Sequence, residues 1–355
     1  MYPCVKIDLD KLARNAAALR GLLARNGISM AAVTKVFCAD PRIVEVLVGC
    51  GADILADSRL ENIESYAHAG PRKMLLRLPS PAIAERVVGS CDISLNSEIA
   101  TIAALAAAAE KAGKKHGVTL MVDLGDLREG VYHSNEELLL RTAEFVLSKK
   151  SLNFMGIGVN LTCYGSVLPT ESNMQALLHI AGRLRARFGA GLDFVSGGNS
   201  SSLYLLENGK MPKGITNLRL GESIVRGVET AFGKPFAGLE TDAIVLEAEV
   251  LEIMEKPSYP EGEIGINAFG EKIHYTDIGI RRRAIVGVGR QDVDHESLGC
   301  LMPGAAIVGA SSDHLIVDVT DAGKCLAVGD VLSFTLTYGA VLSCFTSRYV
   351  GRQYL

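Results

Sequence analysis

Short apolar runs alternate with helical patterns over about the first 220 residues, and this alternation constrains the fold more than any other feature of the chain. The predicted strands are 30–35, 53–56, 73–78, 92–95, 118–124, 154–161, 194–196 and 217–220. The predicted helices that lie between most of them are 42–49, 60–69, 81–88, 98–115, 135–149, 170–187 and 201–207. This alternation predicts an α/β protein and favours a (β/α)8 TIM barrel, with an open doubly wound sheet as the alternative.

The pattern changes after Gly227. Strand-like runs then follow one another with Gly, Pro and Asp turns between them, at 241–254, 283–288, 305–309, 315–319 and 331–338. The chain has 355 residues, enough for one large domain and a smaller one. We therefore predict a barrel over residues 1–230 and a smaller β-rich domain over residues 231–355, with the option that the N-terminal strand pairs in the β-rich domain.

The charge and the cysteines narrow the class of protein. The net charge is −4, whereas nucleic-acid binders are more often basic. No segment reads as a membrane span or a signal peptide. The eight cysteines include no CxxC pair, and the seven histidines show no metal-binding spacing. We therefore expect a cytoplasmic protein with reduced thiols that binds no metal, nucleic acid or membrane.

Lys35 ends the first predicted strand, and the loop after it leads to Asp40-Pro41, a helix-start signal. Active sites of barrels lie at the carboxyl ends of the strands, although an isolated lysine there is more often solvated. The seventh and eighth strands end in Gly- and Ser-rich stretches, 196–201 and 219–223, which match a phosphate site but also occur as simple turns. A lysine that faces a phosphate site predicts pyridoxal phosphate, held by a Schiff base to Lys35.

Six short segments carry a resemblance to a known family. In their order and strand placement, the chain resembles the alanine racemase-like, fold type III pyridoxal-phosphate enzymes, and it is most similar to their ornithine racemase branch. The resemblance covers nearly the whole chain. The segments are Ala32-Val33-Thr34-Lys35, Ala56-Asp57-Ser58-Arg59, Val122-Asp123-Leu124-Gly125, Gly197-Gly198-Asn199-Ser200, Leu218-Arg219-Leu220-Gly221-Glu222 and Gly289-Arg290-Gln291-Asp292.

The resemblance implies roles for several residues of the pyridoxal-phosphate-binding barrel. Lys35 would bind the cofactor covalently and would also transfer the Cα proton of the substrate. The other implied contacts are Arg128 near a cofactor oxygen and the substrate carboxylate, Asn160 beside the cofactor ring, Ser200 with the backbone of Gly221 and Glu222 at the phosphate, and Arg219 at the pyridine nitrogen.

Arg219 is the most informative of these positions. Decarboxylases of basic amino acids with the same fold carry a glutamate there, and its carboxylate keeps the ring nitrogen protonated. Arginine cannot accept that proton, so the ring would withdraw electrons less strongly. The resemblance therefore implies racemisation rather than decarboxylation, while a buried ion pair with a core carboxylate is the structural alternative for Arg219.

The chain departs from the family at the second proton carrier. Arg290 stands where alanine racemases carry a tyrosine supplied by the partner subunit, and Ala39 stands where relatives carry another tyrosine. Arginine is a poor base at neutral pH. The identity of the second carrier therefore stays open among Ser312, Asp313, His314, Cys38 and Cys163, although the interpretation that we favour for the two cysteines is a buried structural thiol.

Acidic residues in the β-rich domain bear on the substrate. Carboxylates such as those of Asp292, Asp294 and Asp313 can bind a distal ammonium group, although surface carboxylates are often only solvated. We predict substrate contacts at Arg290, Asp292, Ser312 and Asp313. The resemblance implies a head-to-tail homodimer, in which these residues would act in the site of the other subunit.

The leading prediction is a pyridoxal-phosphate-dependent amino-acid racemase that acts on ornithine, with lysine or arginine next. One alternative is a decarboxylase of basic amino acids with the same fold. A second is a D-amino-acid aldolase or dehydratase, but the His-x-Cys metal pair of those enzymes does not occur here. A third is a non-catalytic pyridoxal-phosphate carrier, whose known examples are a barrel without a β domain.

Overall fold

Two compact units divide the protein: Leu9–Thr241, and a unit that combines Met1–Asp8 with Asp242–Leu355. The structure, a computed structural model, describes residues 1–189, 192–323 and 325–355. Within these ranges no helix combines the length and the apolar character that a membrane span requires. Both chain ends belong to one unit, so the other unit is a continuous insertion between them.

The Leu9–Thr241 unit contains a closed parallel barrel. Numbered after strand β1 (Cys4–Ile7) of the other unit, its strands are β2 (Ser29–Val33), β3 (Ile54–Asp57), β4 (Arg72–Leu75), β5 (Ile93–Asn96), β6 (His116–Asp123), β7 (Val131–Tyr132), β8 (Leu152–Gly158), β9 (Phe194–Ser196) and β10 (Asn217–Leu220). The pairing order is β2-β3-β4-β5-β6-β8-β9-β10, β10 returns to β2, and the short β7 adds to β6. This eight-stranded ring confirms the predicted (β/α)8 TIM barrel and excludes the open sheet.

Helices occupy most of the connections between the barrel strands. They are α1 (Leu9–Arg25), α2 (Pro41–Gly49), α3 (Leu60–Ser65), α4 (Ala84–Ser90), α5 (Ile99–Lys111), α6 (Glu136–Leu147), α7 (Glu171–Phe188), α8 (Leu203–Glu207) and α9 (Glu222–Arg226). Helix α2 begins as predicted, because the Asp40 side chain accepts from the N–H groups of Arg42 (3.1 Å) and Ile43 (3.3 Å) and proline occupies the first turn. This helix start fixes the far end of the loop that carries Lys35.

Apolar side chains fill the barrel interior. One buried cluster contains Ala31, Val33, Ile54, Ala56, Met74, Ile93, Leu95, Met121 and Phe194. Several members lie two residues apart on one strand, as side chains on one face of a strand do. Because the interior is packed with apolar groups, polar chemistry is left to the strand ends and the loops.

Asn15 of α1 holds the segment before the unit boundary. Its Nδ2 donates to the carbonyl oxygens of Ile224 (3.0 Å) and Glu240 (2.9 Å), and its Oδ1 accepts from the Glu240 N–H (2.8 Å). Asn15 is fully buried, and these bonds satisfy its amide. Residues 231–241 therefore lie in the barrel unit, while the division at residue 230 into two domains stays a prediction.

The second unit is built on a mostly antiparallel sheet, as predicted for a β-rich domain. Its remaining elements are β11 (Ile244–Pro257), β12 (Ile280–Val286), β13 (Leu298–Cys300), β14 (Ala306–Ala310), β15 (Leu315–Asp318), β16 (Val331–Leu336), helix α10 (Tyr338–Thr346) and β17 (Gly351–Tyr354). The strands pair in the order β13-β16-β11-β12-β15-β14, and β1 lies between β11 and β17. The prediction of a strand over 331–338 is wrong at its end, since α10 starts at Tyr338, and an apolar run of this kind suits a helix as well as a strand.

Gly156 of β8 allows β8 and β9 to approach each other closely. Its φ is +146°, and a Cβ built on it would lie 2.1 Å from the carbonyl oxygen of Phe194. We expect Gly156→Ala to lower the free energy of unfolding by roughly 3 kcal/mol, because both the backbone and the neighbouring strand would have to shift. Denaturant unfolding measures this effect. Gly182→Ala is the control, because Gly182 lies in α7 with nothing near its Cβ position, and it should stabilise the protein by about 0.5–1 kcal/mol.

His116, at the start of β6, predicts a pH dependence of stability. It is buried, lies 2.7 Å (Nε2) from Ser94 Oγ, and its burial lowers its pKa to about 4. Between about pH 6.5 and 4 the unfolded chain therefore binds more protons at His116 than the native chain does. The free energy of unfolding should therefore decrease by up to about 3 kcal/mol as the pH is lowered across this range.

Denaturant unfolding of the wild type and His116→Gln at about pH 7.5 and about pH 4.5 isolates this contribution, since the other titrating groups are shared. The wild type should lose more stability between the two conditions than the variant. Equal losses in the two proteins would contradict the assignment to His116.

Candidate active site

Lys35 lies just beyond the end of a barrel strand. The prediction that the strand itself ends at Lys35 is wrong, because β2 ends at Val33 and Lys35 begins a short 3-10 turn, Lys35–Phe37. The backbone turns at Thr34, with φ −91° and ψ −7°. Its N–H still pairs with the carbonyl of Ala56 (2.9 Å), so the chain leaves the sheet one residue before the lysine.

A buried polar network holds this strand end. Thr34 Oγ1 donates to Asp57 Oδ2 (2.5 Å) and lies 3.3 Å from the Tyr66 hydroxyl. Asp57 also accepts from the Arg59 N–H (2.8 Å) and from Asn62 Nδ2 (3.1 Å). Burial raises the pKa of both Asp57 and Tyr66. The network therefore fixes the residue before Lys35 and leaves the lysine to begin the turn.

Strained backbone is concentrated in loops that follow barrel strands. Among the described residues, the non-glycine residues with positive φ are Cys38, Ala39, Leu127, Thr162 and Ser166. They follow β2, β6 and β8, and each such conformation costs about 1–3 kcal/mol. Backbone strain of this kind is often found at functional sites.

Arg219 on β10 is buried, and its guanidinium contacts polar groups at the ends of β8 and β9. Its guanidinium donates to the Val159 carbonyl oxygen (2.7 Å), to Asn160 Oδ1 and to Ser196 Oγ. These acceptors are neutral, in contrast to the buried ion pair considered as the alternative. Burial lowers the pKa of Arg219 to about 10, so the group is still a cation at neutral pH.

Glu129, which no motif in the sequence indicates, joins two of the predicted residues. Its carboxylate accepts from the Arg128 guanidinium through Nε and Nη2, and from Asn160 Nδ2. Asn160 in turn accepts from Arg219. Arg128, Asn160 and Arg219 thus form one connected group with Glu129 at its centre. The signal in the sequence was only an acidic residue next to Arg128.

The loops after β9 and β10 meet through their serines. Ser200 Oγ lies 3.0 Å from Ser223 Oγ and accepts from the Ser223 N–H (3.2 Å). A Cβ at Gly221 would lie 3.0 Å from Val33 Cβ, so glycine allows the end of β10 to approach the end of β2. Ser201 Oγ is buried and has no hydrogen-bond partner among the described residues.

Glu222, just after β10, interacts electrostatically with Lys35. Burial raises the pKa of Glu222, while the nearby charges of Arg226 and Lys35 act in the opposite direction. Glu222 also forms an ion pair with Arg226, four residues later on α9. The barrel thus places Lys35 within electrostatic range of the loop that carries Gly221 and Glu222.

The remaining predicted residues lie in the second unit. Arg290 Nη1 pairs with Glu271 Oε2 (2.9 Å), and its guanidinium stacks 4.3 Å from the centre of the Phe269 ring. Asp292 is buried and accepts from Ser347 Oγ (2.7 Å). Asp313 and Ser312 are exposed. The structure therefore gives Arg290 and Asp292 partners inside their own unit.

Among the open candidates for the second proton carrier, Cys163 becomes less suitable. Cys163 is an exposed residue, but the groups packed around its thiol partly desolvate it and raise its pKa, although the nearby charge of Arg128 acts in the opposite direction. A thiol with a raised pKa is protonated at neutral pH and is a weak nucleophile and base. Cys38 lies in the strained turn after Lys35, with φ 48°.

Comparison with known proteins places the chain in a family. The model described as alanine racemase, N-terminal domain, matches residues 7–227. Ornithine racemase of Acetoanaerobium sticklandii is 46% identical over 355 residues, with 100% of both chains covered. Lysine racemase of Thermotoga maritima is 37% identical over 356 residues, covering 100% of this chain and 99% of the relative.

A solved structure agrees on the fold. Alanine racemase from Bartonella henselae, with covalently bound pyridoxal phosphate, is similar with a TM-score of 0.75 at 20% identity, covering 99% of each chain. At this identity the likeness supports the fold, while the family model and the full-length relatives support membership. The chain therefore belongs to the alanine racemase family, as its six segments predicted.

Proposed function

We propose that this protein is a pyridoxal-phosphate-dependent racemase of a basic amino acid, with ornithine as the first candidate and lysine as the second. Two relatives that match over essentially their whole length are named as racemases of these two amino acids. The observation that carries the proposal is the buried guanidinium of Arg219 at a barrel strand end, a group that donates hydrogen bonds and cannot accept a proton.

The residues at these strand ends fit the cofactor. Arg219 is a buried cation bonded to neutral oxygens, which suits a neutral ring nitrogen as a further acceptor. The unpartnered Ser201 hydroxyl next to Ser200 suits phosphate oxygens, because a buried hydroxyl without a partner costs about 1–3 kcal/mol. When bound, pyridoxal phosphate withdraws electrons from the Cα of an amino acid and makes the Cα proton labile.

Each predicted barrel residue then has a task. Lys35 holds the cofactor, and its Nζ takes and returns the Cα proton on one face of the substrate. Ser200 and the N–H groups of Gly221 and Glu222 bind the phosphate. Arg128 binds the substrate carboxylate through the guanidinium N–H groups that Glu129 does not occupy. Asn160 contacts the ring.

The second unit would contribute if two copies associate head to tail, with Arg290, Asp292, Ser312 and Asp313 as the contributing residues. Asp292 is buried with one oxygen bonded to Ser347, whereas Asp313 is exposed. Asp313 is therefore the better candidate of the two for the distal ammonium of ornithine or lysine. The homodimer and the cytoplasmic location stay predictions.

Chiral analysis of the product from L-ornithine in deuterated water tests the proposal. The protein loaded with pyridoxal phosphate should form D-ornithine, and deuterium should enter Cα of both enantiomers. L-Lysine, L-arginine and L-alanine, assayed in parallel, rank the substrates.

Other products would contradict parts of the proposal. Putrescine from ornithine would show decarboxylation and would overturn the interpretation of Arg219. Deuterium exchange at Cα of lysine or alanine, but not of ornithine, would retain the racemase assignment and overturn the choice of ornithine. Cofactor binding without exchange in any amino acid would favour the carrier alternative.

A further inference from the structure

Glu129 occupies a position in the barrel that neither the predicted cofactor contacts nor the predicted substrate contacts include. It lies in the loop between β6 and β7, and its side chain is only 13% exposed. A carboxylate that is mostly shielded from water is stabilised by strong hydrogen-bond partners, because removing a charge from water is costly. Its hydrogen-bond partners, Arg128 and Asn160, are both residues of the candidate site.

The contacts of Glu129 are made by both carboxylate oxygens. Arg128 donates to Oε2 through Nε and to Oε1 through Nη2, which is the two-point pairing that a guanidinium makes with a carboxylate. Asn160 Nδ2 donates to Oε1 as well. One side chain thereby holds a guanidinium and an amide that come from loops after two different strands.

The contact with Asn160 sets the direction of its amide. An amide has a donor end and an acceptor end, and a carboxylate accepts only from the donor end. With Nδ2 turned toward Glu129, Oδ1 is left for the Arg219 guanidinium, which donates to it. The reversed amide would place an oxygen against the carboxylate and an N–H₂ group against the cation, and both contacts would be repulsive.

The charges of the connected group also support a positioning role for Glu129. Arg128 and Arg219 are two cations of one connected group, and Glu129 is the carboxylate bonded within it. The negative charge of Glu129 raises the pKa of Arg219 against the effect of burial. Removal of that charge would leave Arg219 less well compensated.

Building on the proposed function, we propose that Glu129 is a positioning residue for the pyridoxal-phosphate site, which fixes the amide direction of Asn160 and the guanidinium of Arg128 and thereby aligns Arg219 and Arg128 toward cofactor and substrate. Glu129 acts through these neighbours and is not assigned a contact with the reacting atoms. A glutamine at this place has the same shape but can present either end to Asn160.

The test measures the dissociation constant of pyridoxal phosphate for the cofactor-free protein, together with kcat and KM for racemisation. Glu129→Gln should weaken cofactor binding by roughly 10- to 100-fold, the range for losing hydrogen bonds to charged groups. KM for the amino acid should also rise, because Arg128 loses its partner. Glu85→Gln is the matched control, since Glu85 pairs with Lys111 on an exposed surface, and it should leave all three values unchanged.

A charge exchange separates positioning from a merely structural role. Asn160→Asp alone should weaken cofactor binding, because two carboxylates would face each other. Glu129→Gln combined with Asn160→Asp restores one carboxylate and one amide with a single allowed direction, so the double variant should bind the cofactor more tightly than either single variant. If the losses of cofactor affinity in the two single variants simply add in the double variant, the proposal is overturned.

Two further outcomes are decisive. If Glu129→Gln does not fold, Glu129→Asp replaces it: this variant keeps the charge on a shorter side chain, and an affinity equal to that of the wild type would overturn the proposal. If the wild type binds pyridoxal phosphate but racemises no amino acid, the proposed function fails while the affinity series still decides the role of Glu129. If the wild type does not bind the cofactor, both proposals are overturned.

Discussion

Lys35→Ala is expected to lower the racemisation rate by about 10⁴-fold, because it removes both the covalent anchor of the cofactor and a group that moves the Cα proton. The fold should tolerate this change. Lys35 begins a 3-10 turn whose position is set by its neighbours, through the Thr34–Asp57 bond before it and the Asp40 cap after it. The racemisation assay measures the loss, and the thermal unfolding midpoint shows whether the variant is folded.

Borohydride reduction followed by peptide mass analysis locates the anchor independently of activity. In the wild type the cofactor mass should appear on the peptide that contains Lys35, and in Lys35→Ala it should be absent. Lys111→Ala is the control, because Lys111 is 73% exposed and pairs with Glu85, and it should keep full activity. Racemisation by Lys35→Ala at a rate near that of the wild type would disprove the assignment of the lysine.

Arg219→Glu is expected to lower racemisation by about 10²- to 10³-fold, the range for removing one well-placed donor from a buried site. The guanidinium donates to Val159, Asn160 and Ser196, and a carboxylate cannot donate to any of these oxygens. The new carboxylate would also accept a hydrogen bond from the ring nitrogen of the cofactor and keep that nitrogen protonated, which an arginine cannot do. We therefore expect a larger share of decarboxylated or transaminated product.

Arg219→Lys separates charge from geometry in this experiment. Lysine keeps the cation but has no planar fork of donors, so it should retain more racemisation than the glutamate variant and should not shift the product. Thermal unfolding of all three proteins corrects for stability, since the unpaired acceptors cost about 1–3 kcal/mol each. An unchanged ratio of products in Arg219→Glu would show that Arg219 does not direct the reaction.

The barrel could be predicted because its signal is local and repeated. Each strand–helix pair shows its own apolar run and turn residues, and Asp40-Pro41 specifies a helix start within a few residues. Helix α10 and strand β17 could not be predicted in the same way. The apolar residues of α10 continue directly from β16, and β17 is identified by its pairing with β1, more than 300 residues earlier.

The candidate site was only partly visible in the sequence for a similar reason. Lys35, Arg219 and Ser200 stand in short segments with a recognisable order. Glu129 gains its importance from Asn160, which is 31 residues away along the chain and adjacent only in the folded barrel. A contact between two loops leaves no trace in the spacing of either loop.

The pairing of β1 with β17 has a consequence for synthesis of the chain. Cys4 lies opposite Gly351 and Ile7 opposite Tyr354, so β1 pairs with a strand that is synthesised more than 300 residues later. At about 5–20 residues per second the ribosome needs roughly 20–70 s to deliver that partner. The barrel lies between the two strands in the sequence and therefore has time to fold first. During this time the edge of β1 that pairs with β17 has no partner strand. β11 supplies a partner for one edge of β1 earlier, so the edge that faces β17 is the one that completes the sheet last and can pair with another chain until then.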